Sequence, residues 1–213
     1  MRDFPFFTTK NGIASLTLRE IPYTKRAYIK IQSASDPAEL LAECKSFCCA
    51  VGAEWIYISG DPICEGYPFH TVIWEMQCPK SVFEDTDASL FPVTEATADR
   101  WREIYNLKVI KIPNAAWMTT SDLRAMLDSR DGYFVHRKGT LLGIGRIEGN
   151  TILWIASEKQ GEGKNVLSAL THAITADMVR LEVASENKKA VAFYENLGFI
   201  KTRELAKWYL LSE

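Results

Sequence analysis

Twice along the chain an apolar strand runs into a polar loop, an amphipathic helix and a second apolar strand. The first copy reads AYIKIQSASDPAELLAECKSFCCAVGAEWIYIS and the second ILWIASEKQGEGKNVLSALTHAITADMVRLEVAS. A unit of this kind sets two strands in one sheet with a helix laid across them, which demands an α/β architecture. The same number of residues separates Leu41 from Ile56 and Val166 from Leu181, so helix length and strand entry match. The match fits a degenerate internal duplication, although strand–helix–strand units are common enough to look alike without shared descent.

Further strands and helices surround these units. FPFFTT, IASLTLRE and RAYIKIQ read as three strands, with Asn11-Gly12 as the first hairpin turn. A helix follows from Pro37 to about Val51, then AEWIYIS and HTVIWEM as strands. The acidic, polar stretch from Lys80 to Pro92 lies between two apolar regions and marks the expected boundary. It gives an N-terminal α/β lobe over residues 1–88 and a second domain over residues 89–213. In the second domain LFPVT is a strand, while ATADRWREIYNLKVI and TTSDLRAMLDS are helices, the latter capped by Thr120 or Ser121. GYFVHRK, LLGIGRIEG and TILWIAS are strands, NVLSALTHAITA a helix and MVRLEVAS a strand. After one more helix, IKTREL and KWYLL close the chain as two strands. The expected class is α/β, a mixed central sheet with flanking helices and an additional N-terminal lobe.

With 213 residues, 47% of them hydrophobic, the chain is long enough to bury such a core. A formal net charge of -2 gives no support to a nucleic-acid or membrane-surface partner. No apolar run approaches the roughly 20 residues of a membrane helix. The apolar patch in MRDFPFFTTK is too short and interrupted for a signal peptide, so the expected compartment is the cytoplasm. The five cysteines are an odd number without disulfide-framework spacing. Cys44 and Cys48 fall one helical turn apart, but no second pair exists and His70, His136 and His172 are scattered. No metal site is expected, and the cysteines read as reduced core residues.

Chemistry concentrates in the second unit. KQGEGKN, Lys159 to Asn165, joins a strand to a helix, and its two glycines let backbone N–H groups converge where the helix dipole is positive. That combination cradles an anion such as a pyrophosphate. It lacks the Lys-Ser/Thr end of a nucleotide-hydrolase loop and the spacing of a dinucleotide fingerprint. Downstream, ENKKAVAFYENLGF places Tyr194 on one helical stripe with Ala190, Val191 and Leu197. Asn187 is the helix cap, Gly198 the stop, and Phe199 restarts the chain as a strand.

Strand, glycine loop, helix, strand, then Asn-x-x-Ala-x-x-x-Tyr-x-x-x-Gly-Phe resembles the GNAT superfamily of acyl-CoA-dependent N-acyltransferases from about Leu90 to Glu213. Gln160-Gly161-Glu162-Gly163-Lys164-Asn165 is similar to its Gln/Arg-x-x-Gly-x-Gly/Ala acyl-CoA loop. Asn165 departs from it, standing where glycine or alanine is usual and crowding one approach to the phosphates. Asn187, Ala190, Tyr194, Gly198 and Phe199 match the later motif without a gap.

The resemblance implies a cofactor, acetyl-CoA, and a reaction, acetyl transfer to a primary amine. The strands flanking the loop and helix would splay, with the pantetheine arm between them. Ile155 and Ala156 would offer main-chain groups to that arm, residues Gln160, Gly161, Glu162, Gly163, Lys164, Asn165 and Val166 would surround the pyrophosphate, and Asn187 would touch the cofactor while capping its helix. The amine would attack the thioester directly, backbone donors would hold the oxyanion, and Tyr194 would protonate the departing thiolate. For the base, Glu182, Glu158, His172 and a water relay all remain open. Glu182 is preferred because its strand borders the acceptor side, although a surface ion pair explains it equally well.

The first unit has no glycine in its loop QSASDPAE, and Asp36, Pro37 and Glu39 supply a self-contained helix start. It resembles a half-lobe of the same superfamily without a cofactor site, serving as scaffold or acceptor wall. The implied acceptor is a small-molecule or peptide amine, read by variable elements such as Ala96 to Ser129, and a homodimer is compatible with the sequence. A catalytically silent acyl-CoA sensor or interaction module is the alternative.

Overall fold

A computed structural model describes residues 5–110, 112 and 115–212. The chain packs as two units, one formed by residues up to Ile73 with those from Glu204 onward, the other by Trp74–Arg203. This division differs from a break at 88/89. The polar stretch after Lys80 is surface chain within the second unit, and the passages between units fall inside two long strands.

The N-terminal unit begins with β1 (Phe6–Thr9) and β2 (Gly12–Thr17), then a single turn of helix, α1 (Ile21–Thr24). Phe4, which opens the first expected strand, lies outside the described residues. Lys10 and Asn11 form the hairpin turn, and Gly12 already pairs with Thr9. The turn is therefore one residue earlier than Asn11-Gly12. Glycine serves the strand instead, because a Cβ there would collide with the Ser33 carbonyl.

β3 (Arg26–Ala34) leads through α2 (Pro37–Ala50) to β4 (Trp55–Ser59). Asp36 caps α2 by accepting from the Glu39 N–H at 3.2 Å, with Pro37 at the first helical position. Leu40, Leu41, Cys44 and Cys48 bury one face of α2 on a sheet surface of Ile29, Ile31, Ile56 and Ile58. β3 and β4 are parallel and paired over the whole of β4, from Arg26 opposite Trp55 to Lys30 opposite Ser59. Cys44, Cys48, Cys64 and Cys78 are buried thiols as expected, but Cys49 is exposed on the outer face of α2.

β5 (Phe69–Pro79) carries the chain into the second unit, which continues with β6 (Ser89–Pro92), α3 (Ala98–Val109), α4 (Thr120–Ser129), β7 (Gly132–Arg137), β8 (Thr140–Glu148), β9 (Thr151–Ser157), α5 (Gly163–His172), β10 (Met178–Ala184), α6 (Lys188–Asn196) and β11 (Ile200–Ser212). Its strand order is β11-β5-β10-β9-β8-β7-β6. Thr119, rather than Thr120 or Ser121, caps α4 through a reciprocal box with Asp122. β11 is one continuous strand where two were expected, and its C-terminal half pairs antiparallel with β4 in the first unit.

Alternation along the strands divides the second unit's core into two layers. α3 and α4 cover Phe134, Ile144, Trp154 and Ala156 with Trp101, Ile104, Leu123 and Met126. α5 and α6 cover Val135, Leu142, Ile152 and Leu181 on the other face with Val166, Leu167, Leu170, Val191 and Tyr194. Each such aliphatic side chain removed from water contributes roughly 2 kcal/mol, so α5 is held firmly from its first turn. The start of that helix is where the glycine loop delivers it.

Candidate active site

β9 and β10 pair only where Thr151 meets Arg180 and Ile152 meets Leu181. Leu153–Ser157 and Glu182–Ala184 lie beyond that register, so the strands part towards their C-terminal ends. β9 remains paired with β8 on its other edge, with a bulge that gives Leu153 no partner of its own. In an antiparallel ladder alternate residues turn their N–H and C=O groups outward, so β9 presents unpaired backbone to the gap. Ile155 and Ala156 sit in this segment. The side chain of Ile155 packs with the α5 layer and that of Ala156 with the α3 layer.

At the mouth of the gap the chain turns through Glu158 to Glu162 into α5. The Ser157 hydroxyl donates to the Lys159 carbonyl, and the Glu158 N–H to the Leu142 carbonyl at 2.7 Å. Gly161 has φ of 85°, a left-handed conformation that costs an L-residue about 1–2 kcal/mol. No atom would meet a Cβ on Gly161, so its backbone borders open space. Glu162 is the N-cap residue of α5 but gives no side-chain cap. The first N–H groups of a helix have no partner within it, so those of Gly163, Lys164 and Asn165 supply positive character here.

The Glu162 side chain is committed elsewhere. One oxygen accepts from Arg137 at the end of β7 and the other from the Asn165 amide at 2.7 Å. The Asn165 hydrogen bond, with the Arg137 guanidinium, holds the carboxyl below the usual carboxylate range against the opposing effect of desolvation. Asn165 thus folds back on Glu162, in contrast to the crowding its size suggests. Gly163 is closely packed: a Cβ there would lie 3.2 Å from the Phe193 ring, which would have to shift by a few tenths of an ångström. Lys164 leans towards Glu84, with 3.6 Å between charged atoms.

Phe193 brings α6, and with it Tyr194, against the first turn of α5. The ring of Tyr194 stands 5.4 Å from that of Phe193 and 5.7 Å from that of Phe199. The residue is buried, and desolvation pushes its phenol well above the ordinary tyrosine range. Among the described residues its hydroxyl has no hydrogen-bond partner. Asn187 caps α6, its side chain accepting from the Ala190 N–H at 3.4 Å.

The base candidates separate. Glu182 is exposed on β10, between Leu181 and Val183, which both pack in the α5 layer; it therefore points to the opposite face beside the gap. Glu158 pairs with Lys108 of α3 at 3.1 Å. His172 is the last residue of α5, bonded to the Ser168 carbonyl and Asp85, and a ten-residue helix puts it roughly 15 Å from the loop. It belongs to the far end of the helix and not to the gap.

Two features escaped the sequence reading. Arg137 belongs to no motif and reaches the loop only because the β7–β8 hairpin ends beside it. The indole N–H of Trp154, on β9, is buried without a hydrogen-bond partner among the described residues, its ring 4.5 Å from that of Tyr105. Among the described residues no helix is long and apolar enough to cross a membrane, and no cluster of side chains is arranged to hold a metal ion.

No protein-family model and no curated protein matches the sequence. Solved structures do match. A conserved protein of unknown function from Staphylococcus epidermidis aligns over 98% of this chain and 93% of its own, at 12% identity and a TM-score of 0.62. A GCN5-related N-acetyltransferase from Sphaerobacter thermophilus aligns over 93% of this chain and 75% of its own, at 13% identity and a TM-score of 0.56. A tandem GNAT protein of clavulanic acid biosynthesis aligns over 94% of this chain and 78% of its own, at 13% identity and a TM-score of 0.53. The chain therefore has a two-lobed fold of the GCN5-related N-acetyltransferases.

Proposed function

We propose that the protein is an acyl-CoA-dependent N-acyltransferase that moves an acetyl group from acetyl-CoA to a primary amine. The observation that carries this reading is the parting of β9 from β10 directly before a glycine turn that opens α5. Pantetheine carries amides that need backbone partners, and the unpaired edge around Ile155 and Ala156 supplies them. Its pyrophosphate needs converging N–H groups. In the stretch from Gln160 to Val166 those of Gly163, Lys164 and Asn165 are offered at the helix start, after the open turn at Gln160 and Gly161. The Glu162 and Val166 N–H groups already donate to the Lys159 and Glu162 carbonyls. Asn187 borders the same site through α6.

The amine nitrogen, as the free base, attacks the thioester carbonyl carbon. The carbonyl π pair moves to oxygen, giving an oxyanion held by β9 backbone N–H donors. Collapse re-forms the C=O bond and breaks the C–S bond, its electron pair leaving on sulfur. Tyr194 donates its proton to that sulfur, and its phenolate is reprotonated, by way of solvent, with the one proton the attacking nitrogen loses as it becomes the neutral amide. Glu182 is the preferred acceptor of the amine's proton. A buried phenol stays protonated at neutral pH, which suits a donor. The N-terminal unit, with its closed strand pair and capped loop, serves as scaffold without a cofactor site of its own.

A silent acyl-CoA-binding module is the other reading, favoured because, among the described residues, Glu182 beside the gap is exposed and Glu158 is paired with Lys108. Acetyl-CoA turnover, followed as free thiol across a panel of small amines and peptide N-termini, tests the choice. Acetylated amine with stoichiometric thiol release supports the enzyme. Coenzyme A binding without release on any amine supports the silent module.

A further inference from the structure

Glu162 places a carboxylate at the point of the loop where the cofactor's anion is proposed to sit. We infer that Arg137 makes this loop competent for a diphosphate, by neutralising Glu162 and holding its carboxylate out of the cradle. The inference rests on the acyl-CoA reading of this site. It assigns a positioning residue that no loop motif contains.

The geometry supports it on three counts. The carboxylate is fully used, with Arg137 on one oxygen and the Asn165 amide on the other. Its side chain is 17% exposed, so solvent alone does not screen its charge. The other nearby cations do less: Lys164 leans towards Glu84, and Lys159, exposed in the turn, acts on Glu162 more weakly than Arg137 does. Arg137 also makes a looser ion pair with Asp87, 3.8 Å between charged atoms, but its short hydrogen bond goes to Glu162. Without Arg137 a full negative charge would stand beside an incoming diphosphate, and like charges at close range cost a binding site heavily.

The chemistry predicts a sign that differs between partners. Arg137→Gln leaves Glu162 uncompensated and should weaken coenzyme A binding about tenfold or more. Glu162→Gln removes the repulsion and releases Arg137 towards the phosphates, so binding should equal or exceed that of wild type. The double variant should return to within about threefold of wild type, since the two changes act on one charge pair. Arg137→Lys, which keeps the charge but loses the forked donor, should fall between wild type and Arg137→Gln.

Calorimetric titration of the full chain with coenzyme A at two salt concentrations reads all four variants, after thermal melts confirm folding. The Arg137→Gln deficit should shrink at high salt. If the double variant is as weak as Arg137→Gln, Arg137 contacts the phosphates directly and the inference is overturned. Wild-type affinity in Arg137→Gln overturns it equally. Absence of binding to the wild type overturns the acyl-CoA reading, and this inference with it.

Discussion

Replacing Tyr194 by phenylalanine isolates a single hydroxyl in a packed ring. The ring contacts with Phe193 and Phe199 remain, and no hydrogen bond to the described residues is lost. Stability at pH 7 should therefore change by less than about 1 kcal/mol, the net worth of an ordinary hydrogen bond. Turnover should fall by about 10²- to 10⁴-fold, the usual contribution of a general acid. That loss corresponds to about 2.7–5.4 kcal/mol in the barrier, several times the largest stability change allowed here. Alkaline pH adds an independent check. Burial raises the folded-state pKa of Tyr194 above its unfolded value, so its protonated form stabilises the fold below about pH 10. As pH rises further the unfolded chain ionises while the folded one resists, and wild type should lose stability relative to Tyr194→Phe at about 1.4 kcal/mol per pH unit. Urea melts from pH 7 to 11 and steady-state kinetics on one good amine read these effects. Unchanged turnover would sink the acid role. A stability loss above about 2 kcal/mol at pH 7 would mean the hydroxyl has a structural partner.

Coenzyme A at about a hundred times its Kd should raise the melting temperature of wild type by about 5–10 °C. Gly163→Glu should abolish that shift and also lower the melting temperature without ligand, because its side chain starts against Phe193; a preserved shift would place the cofactor elsewhere. Asn187→Ala should cost about 1 kcal/mol in a urea melt through the lost α6 cap, and a simultaneous fall in coenzyme A affinity would add the cofactor contact to the cap. Calorimetry should find one coenzyme A per chain, and two sites would assign the N-terminal loop a binding role it lacks the backbone for.

Legibility in the sequence followed how local each signal was. Pro37 and Asp36 announced their helix start, and Gly198 its helix end, because caps depend on neighbouring residues alone. The order of strands, loops and helices was readable for the same reason. Thr119 lost out to Thr120 and Ser121 because three hydroxyl residues compete, and only the reciprocal bond with Asp122 decides. The Asn11-Gly12 turn shifted because β3, distant in sequence, needs the space that Gly12 leaves. β11 reads as two strands because its burial is irregular, with exposed residues at its start and the buried Tyr209 near its end. In the site, motif spacing predicted the loop and the tyrosine helix. Arg137 carried no local signal, since a hairpin's register brings it to Glu162.

The two strand–loop–helix–strand units show how one arrangement gives a proposed site or a closed scaffold. A backbone edge binds ligands only where its polar groups lack partners within the protein. In the second unit β9 and β10 share two rungs and then part, leaving such an edge beside a glycine turn. In the first, β3 and β4 stay paired to Lys30 and Ser59, and Gly60 then admits the Ile31 carbonyl so closely that a Cβ there would collide. The Asp36 carboxylate bonds the Glu39 N–H, one that an anion would need, and Pro37 has no N–H to give. Pairing, glycine placement and capping all remove free donors in the same direction. Removing the cap alone would leave the strand pair closed. An Asp36→Ala, Pro37→Gly double variant should therefore gain no coenzyme A site, whatever it does to α2.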